Sequence, residues 1–151
     1  MPGTIVVGVD GSDAAGEALR WAAAEVRIRD ARLVALHAWA FVPPAPIGDP
    51  GMIAIPAGDL SGQLEAESEA ATAELSHAIT EALGEAPNVE IEARLVEDDA
   101  GDALVAESAN ADLVVVGSHG KSGLRAALLG SVSRHVVDHA KCPVVVVKPR
   151  S

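Results

Sequence analysis

The residues best suited to chemistry lie in one short segment, residues 117–133. It contains three glycines and two serines, namely Gly117, Gly120, Gly130, Ser131 and Ser133. Glycines let the backbone approach a ligand without an intervening Cβ, and a helix that begins where the segment ends would present unpaired N–H groups with a partial positive charge. The hydroxyls of Ser131 and Ser133 would add donors beside these N–H groups. This combination predicts a phosphate-binding loop. The alternative is structural: Gly117 and Gly130 end a strand and begin a helix, with Ser131 as its N-cap.

Two familiar phosphate loops are excluded by their spacing. The run GKS at residues 120–122 looks like the end of a P-loop, which requires a glycine five residues before Gly120. That position holds Val115. The dinucleotide fingerprint G-x-G-x-x-G is also absent. At the end of the first apolar run, residues 4–9, the chain has GVDG at residues 8–11, which lacks that spacing.

The elements that must position this segment follow an alternating pattern. Short apolar runs are separated by longer amphipathic stretches, which is typical of βαβ units. Strands are predicted at residues 4–9, 33–38, 89–95, 113–116 and Val144–Val147, and helices at Asp13–Arg29, 63–83, 102–109 and 132–140. Right-handed crossovers place helices on both faces. The predicted fold is therefore α/β, a Rossmann-like open parallel five-stranded sheet with helices on both faces.

Local signals refine this pattern. Residues 89–95 alternate between apolar and charged side chains, which predicts a strand with one wet face at or near a sheet edge. The candidate caps are Ser12 or Asp13, Ser61 and Ser131 at helix starts and Gly84 at a helix end. Residues 41–59 contain five prolines and three glycines and are predicted not to be helical. Such a long loop is either a functional lid or disordered, and the sequence leaves both open.

Composition limits the classes of partner. The 151 residues suit one domain, residues 1–151. They carry 22 acidic and 11 basic side chains, a formal charge of −11 that would repel nucleic acid, whereas backbone N–H groups can still bind a small anion locally. No apolar stretch reaches the roughly 18 residues of a membrane span, and no signal segment begins the sequence. We therefore expect a cytoplasmic protein without nucleic-acid or membrane partners.

Other reactive side chains offer weaker signals. Cys142 is the only cysteine and precedes an apolar run, which favours a small core residue over a redox centre. His135 and His139 share a predicted helix face, but no third ligand completes a metal site, so no structural metal is predicted. Lys121 and Arg125 could reach phosphate oxygens or remain solvated loop charges.

The glycine segment also resembles a known motif. The pattern G-x2-G-x9-G-[ST] after a hydrophobic strand is similar to the nucleotide-binding motif of the universal stress protein family. Gly117, Gly120, Gly130 and Ser131 match it position by position, and the opening and closing runs of the chain resemble that family too. The resemblance spans the whole chain. It implies the ATP-binding branch of the family and its adenine nucleotide alpha hydrolase-like fold.

The resemblance also implies which residues bind the nucleotide. In the ATP-binding branch the motif surrounds the phosphates and ribose, while the ends of the first and second strands approach the sugar and base. The residues implied are Gly8, Val9, Asp10, Ala38, Val116, Gly117, Gly120, Gly130, Ser131, Val132 and Ser133. The implied ligand is ATP, alone or with Mg²⁺. The carboxylate of Asp10 would accept from ribose hydroxyls, and its alternative role is a turn residue that caps the first helix.

Three functions follow from these expectations. The first is a nucleotide-dependent stress-response regulator, since no second acidic residue in the loop could hold a water for hydrolysis and no catalytic residue is assigned. The second is a slow ATPase or phosphotransfer enzyme that uses Lys121 or His119, although His119 could equally be an exposed loop residue. The third is a cyclic AMP-binding protein. The apolar strand Val144–Val147 at one end of the sheet further suggests a homodimer formed by strand pairing, unless a helix or loop covers that edge.

Overall fold

The computed structural model describes residues 3–40, 57–120 and 129–149. Within these ranges strands and helices alternate along the chain. The strands are β1 (Thr4–Gly8), β2 (Arg32–Trp39), β3 (Ile91–Glu97), β4 (Leu113–Gly117) and β5 (Val144–Val147). The helices are α1 (Asp13–Arg29), α2 (Ala57–Leu83), α3 (Ala100–Ser108) and α4 (Ser131–His139). In the described part of the chain, no helix is long and apolar enough to cross a membrane.

The five strands form one parallel sheet in the order β3-β2-β1-β4-β5. Because successive side chains in a strand point to opposite faces, the sheet supports two separate cores. One core packs against α1 and α2 through residues such as Val7 and Leu75, and the other packs against α3 and α4 through residues such as Val6 and Val136. The predicted α/β fold is confirmed, with helices on both faces.

The outer strand β3 confirms the predicted edge position. Among the described strands it pairs with β2 alone. It begins and ends two residues later in the chain than the alternating pattern suggested. Arg94 on this strand bonds Glu92 at 2.7 Å and Glu107 at 2.6 Å. Its hydrogen bond to Glu92 is the main reason why the pKa of the guanidinium is raised, and partial burial opposes that shift. Charged pairs on an outer strand discourage pairing with other chains.

Helix α2 corrects two predictions. It begins at Ala57, so residues 57–59 are helical although the Pro- and Gly-rich run was expected to contain no helix. Ser61 was predicted as an N-cap but lies inside the helix. Glycines at positions 58 and 62 did not prevent helix formation, because the cost of about 1 kcal/mol per glycine is small beside the tertiary packing of a long helix. Residues 41–56 lie outside the described ranges.

Two predicted helix ends are confirmed. Ser12 is the N-cap of α1, and its hydroxyl accepts from the N–H of Ala15 at 3.2 Å. Gly84 follows α2 with a φ of 83°, a left-handed conformation that glycine adopts without strain. The third helix begins two residues earlier than expected, because Asp99 serves as its N-cap and accepts from the N–H of Asp102.

Candidate functional site

A cavity of about 380 Å³ lies at the carboxyl ends of β1, β2 and β4. In an open parallel sheet this is where ligands bind, near the point at which the strand order reverses. From β1 the chain continues to β2 and β3 on one side of the sheet, whereas β4 and β5 lie on the other side of β1. The strand order therefore reverses between β1 and β4. Every residue implied by the resemblance lines the cavity: Gly8, Val9, Asp10, Ala38, Val116, Gly117, Gly120, Gly130, Ser131, Val132 and Ser133.

The amino terminus of α4 opens into this cavity, and no side chain within the described ranges caps it. Gly130 is the N-cap residue, in place of the predicted Ser131, and it has no side chain with which to bond the first turn. No acidic residue occupies that turn. The N–H of Gly130 donates to the carbonyl of Ser118 at 2.8 Å, and the carbonyl of Gly130 accepts from the backbone N–H of Arg134 at 3.0 Å. The N–H groups of the first turn are therefore directed at the cavity, where an anion would satisfy them.

The side chain of Ser133 bonds the start of α4 to the loop after β4. Its side chain is 2% exposed, and its hydroxyl is shared between the carbonyls of Ser118 at 3.2 Å and Gly130 at 3.1 Å. The hydroxyl was expected to donate to phosphate, but these two carbonyls already take its proton. The carbonyl of Ser118 thus accepts from both Gly130 and Ser133, which ties the loop after β4 to the start of α4.

The three motif glycines differ in what surrounds them. A Cβ on Gly117 would lie 2.7 Å from the backbone carbon of Ala14 in α1, closer than any real contact. A Cβ on Gly120 would lie 2.9 Å from Oδ2 of Asp10, which is the end of a movable side chain. Among the described residues, a Cβ on Gly130 would meet nothing closer than the carbonyl oxygen of Ser118 at 3.4 Å. Gly117 is therefore required by helix packing, whereas Gly130 is not required by its own surroundings.

Asp10 holds a turn and also borders the cavity. Its Oδ1 accepts from the N–H of Ser12 at 2.9 Å and from the hydroxyl of Ser12 at 2.5 Å, the pattern of an Asx-turn. Its Oδ2 lies beside Gly120 on the wall of the cavity. One oxygen thus holds the turn that leads into α1, and the other is placed to accept from a ligand hydroxyl.

His119 also lines the cavity. Its Nδ1 lies 2.8 Å from the hydroxyl of Ser118, and its carbonyl lies 3.4 Å from the hydroxyl of Ser12. The second of these contacts joins the loop after β4 to the turn after β1. Lys121 and Arg125, the two cations considered for phosphate binding, lie outside the described residues.

Apolar side chains form a part of the cavity wall that sequence reasoning missed. Leu36 from β2, Ala100 and Leu104 from α3, and Ala15 from α1 all line it. Leu104 is 1% exposed and packs so closely on β1 that a Cβ on Gly8 would lie 3.0 Å from it. The apolar pattern of these positions predicts core burial and contains no signal for a ligand, so only the packing of α1 and α3 on the sheet reveals them.

The remaining reactive groups lie apart from the cavity. Cys142 is half-buried against the core on the α3 and α4 side. Loss of hydration raises the pKa of its thiol, a hydrogen bond involving the backbone of Val114 opposes that rise, and nearby Asp112 adds to it. Among the described residues, no group of three or more His, Cys, Asp or Glu side chains is arranged to hold a metal ion.

Comparison with known proteins assigns the chain. The family model described as the universal stress protein family matches residues 1–148. The chain belongs to the universal stress protein family. A universal stress protein of Mycobacterium tuberculosis is 37% identical over 144 residues, which cover 95% of this chain and 45% of that protein. This universal stress protein chain thus spans about half the length of the curated relatives it matches.

Solved universal stress protein structures share the fold. One, in complex with cyclic AMP, has 28% sequence identity and a TM-score of 0.58, with 99% of this chain and 98% of that chain covered. Another, from Archaeoglobus fulgidus in complex with dAMP, has 27% identity and a TM-score of 0.54, with 98% of each chain covered. Both relatives therefore carry an adenine nucleotide on a sheet of this kind.

Proposed function

We propose that this universal stress protein binds ATP in the cavity and acts as a nucleotide-dependent stress-response regulator. The observation that carries the proposal is the uncapped amino terminus of α4, which opens into a cavity lined by all the residues of the motif. The cavity volume of about 380 Å³ lies within the roughly 300–1,000 Å³ of small-molecule sites. The adenine nucleotides bound by the two relatives support the same ligand class.

The orientation of the nucleotide follows from charge. The phosphates belong at the first turn of α4, residues 131–133, because the helix dipole and the N–H groups there favour an anion. The ribose belongs beside Oδ2 of Asp10, which accepts from its hydroxyls, and the base belongs against the apolar wall near Ala38 and Leu104. Any Mg²⁺ would be held mainly by the phosphate oxygens, since the described residues offer no set of three ligands for it.

Calorimetric titration with ATP tests this proposal. The matched variant is Asp10→Asn, which keeps an Oδ1 acceptor for the turn but replaces the ionised oxygen that faces the ligand. We expect the wild type to bind ATP in the micromolar range and the variant to bind about tenfold more weakly, because a charge-assisted hydrogen bond is lost. A wild type that shows no heat of binding with ATP would overturn the proposal.

Phosphate release in the same samples separates a regulator from an enzyme. Hydrolysis of ATP requires a group that positions the attacking water and groups that stabilise charge on the leaving phosphate. In the proposed orientation Asp10 lies at the sugar and not at the terminal phosphate. We therefore expect at most slow turnover. Multiple turnovers at the wild-type site would instead support the ATPase or phosphotransfer function.

Cyclic AMP is a second candidate ligand, favoured by the relative that binds it. Its single phosphate would use the first turn of α4 and leave the backbone of Gly117 and Gly120 less engaged. Competition between the two nucleotides distinguishes them. If cyclic AMP displaces ATP at concentrations below those at which ATP itself binds, cyclic AMP is the preferred ligand.

We also propose a homodimer that pairs two copies of β5. This strand is one of the two outer strands of the sheet, and in the described part of the chain its outer side pairs with no other strand. The N–H groups of Val114 and Ser118 donate to the carbonyls of Pro143 and Val147, so the backbone groups of odd-numbered β5 residues face β4. The N–H of Val146 consequently faces outward, where a second copy would accept it.

The dimer is tested at the outward-facing position. Val146→Pro removes the outer N–H without removing an N–H that bonds β4. We expect this variant to elute as a monomer in size-exclusion chromatography with light scattering, and Val146→Ala, which keeps the N–H, to remain dimeric. A Val146→Pro variant that is still dimeric would refute pairing through β5.

A further inference from the structure

The buried histidine of β2 stands directly behind the proposed site. His37 is 9% exposed. Its neighbours Leu36 and Ala38 line the cavity. Because side chains alternate along a strand, the ring of His37 lies on the opposite face of the sheet, toward α1 and α2. It therefore does not line the cavity, and nothing in the proposed binding of ATP uses it.

The ring is nevertheless bonded to the turn that carries Asp10. Nδ1 of His37 lies 2.7 Å from the carbonyl oxygen of Val9. A carbonyl can only accept, so Nδ1 carries the proton and donates it. The N–H of Val9 in turn donates to the carbonyl of Leu36 at 2.8 Å. Adjacent residues of β2 thus hold both backbone polar groups of Val9, the residue that precedes Asp10.

The other ring nitrogen faces α2. Nε2 of His37 lies 3.4 Å from Oε2 of Glu74, whose side chain is 58% exposed. A pair this open to solvent contributes little. The short bond to Val9 is buried, because Val9 itself is 5% exposed. If that bond were lost, the carbonyl of Val9 would be left in a buried position without this donor, which is costly.

We propose that His37 is a positioning residue for nucleotide binding, which acts by holding the carbonyl of Val9 so that Oδ2 of Asp10 faces the ribose. The inference rests on the proposed binding of ATP. Without the bond, the turn between β1 and α1 samples other conformations, and the ligand must select the competent one. An apparent affinity falls in proportion to the fraction of competent molecules.

Three variants separate the bond to Val9 from the rest of the side chain. His37→Leu removes the donor and keeps an apolar volume. His37→Asn keeps a donor, since the side-chain nitrogen of Asn stands near the place of Nδ1. Glu74→Gln changes only the exposed contact. We expect His37→Leu to bind ATP about tenfold more weakly, and the other two to stay within about threefold of the wild type.

A ligand without ribose hydroxyls shows whether the effect passes through Asp10. We expect the wild type to prefer ATP over 2′,3′-dideoxy-ATP by about tenfold, because the dideoxy ligand cannot donate to Asp10. In His37→Leu this preference should fall to about twofold, and in His37→Asn it should be restored. General destabilisation would weaken both ligands equally and leave the ratio unchanged. Melting temperatures of all variants, measured without ligand, identify any that fail to fold.

The outcomes distinguish this inference from the one on which it rests. A wild type that does not bind ATP overturns the proposed function. A wild type that binds ATP, together with a folded His37→Leu variant that keeps the full preference for ribose hydroxyls, overturns the role of His37 alone. If His37→Leu does not fold, a His37→Asn variant that binds ATP with the wild-type ratio supports the role, and one that has lost the preference refutes it.

Discussion

The amino termini of α1 and α4 lie at the same end of the sheet, beyond the carboxyl ends of the strands, but on opposite faces, and they are capped in opposite ways. In α1, Ser12 caps the first turn and Asp13 adds a negative charge to it. In α4, the N-cap is Gly130, no side chain of the described residues accepts from the N–H groups of the first turn, and no acidic residue lies there. The cap of α1 satisfies an N–H group of its first turn with a side chain of the protein, which stabilises the fold. The first turn of α4 lacks such a partner among the described residues and is suited to an anion.

The motif glycines divide in the same way. Gly117 lies against α1, where even a methyl group would overlap the backbone of Ala14. Gly130 begins α4 with a φ of −66°, a conformation open to any residue, and the described residues around it leave space for a Cβ. Two glycines of one motif are thus present for different physical reasons. Gly117 permits α1 to pack on β4, and Gly130 leaves the amino terminus of α4 without side-chain atoms of its own.

The largest expected effect tests the packing half of this comparison. Gly117→Ala places a Cβ 2.7 Å from backbone that cannot move without shifting α1. We expect the free energy of unfolding to fall by about 2 kcal/mol or more. Urea denaturation measures it, with Gly130→Ala as the matched control, which should change the stability by less than about 0.5 kcal/mol. Equal stabilities for the two variants would remove the distinction between the glycines.

A smaller effect is expected at the cap of α1. Ser12→Ala removes the hydroxyl that accepts from the N–H of Ala15 and donates to Asp10. We expect a loss of about 1 kcal/mol in the free energy of unfolding. Ser12→Thr keeps the hydroxyl and should recover most of that loss in the same denaturation experiment. If Ser12→Ala and Ser12→Thr unfold at the same urea concentration, the cap of α1 does not contribute as described.

The smallest effect is a gain in stability at α4. Gly130→Asp supplies a capping oxygen and a negative charge at the positive end of the helix dipole. We expect the free energy of unfolding to rise by about 0.5 kcal/mol. A shift of the urea midpoint to higher concentration measures it, with the methyl-only variant Gly130→Ala as reference. A fall in stability relative to that reference would mean that the helix end is not open in the way the structure indicates.

The sequence predicts where the strands lie better than it explains why particular residues are present. Continuous apolar runs located β1, β2, β4 and β5, because strands buried on both faces are rich in Val, Leu and Ile. Alternation of apolar and charged side chains located β3. The start of α2 was missed because local propensity reads prolines and glycines as breakers, while packing over a long helix outweighs them. The motif placed Gly117 and Gly130 correctly at the cavity. Spacing alone could not reveal that Gly117 faces α1, since that contact depends on the path of a distant segment.

The polar contacts show the same limit. Asp10 could be given two roles from the sequence. The structure shows the turn role at Oδ1 and places Oδ2 beside Gly120 on the cavity wall, where binding of ribose stays a prediction. Ser133 looked like a donor to phosphate, yet its hydroxyl is taken by the carbonyls of Ser118 and Gly130. The bond from His37 to Val9 joins residues 28 positions apart. Only the register of β1 against β2 brings them together.

The most direct test of the open helix end compares ATP with adenosine on the wild type and on Gly130→Asp. The added carboxylate would occupy the first turn of α4 and repel the phosphates, but adenosine has none. We expect the variant to bind ATP at least about tenfold more weakly while its affinity for adenosine stays within about twofold of the wild type. If Gly130→Asp binds ATP as tightly as the wild type, the phosphates do not lie at α4 and the account is wrong.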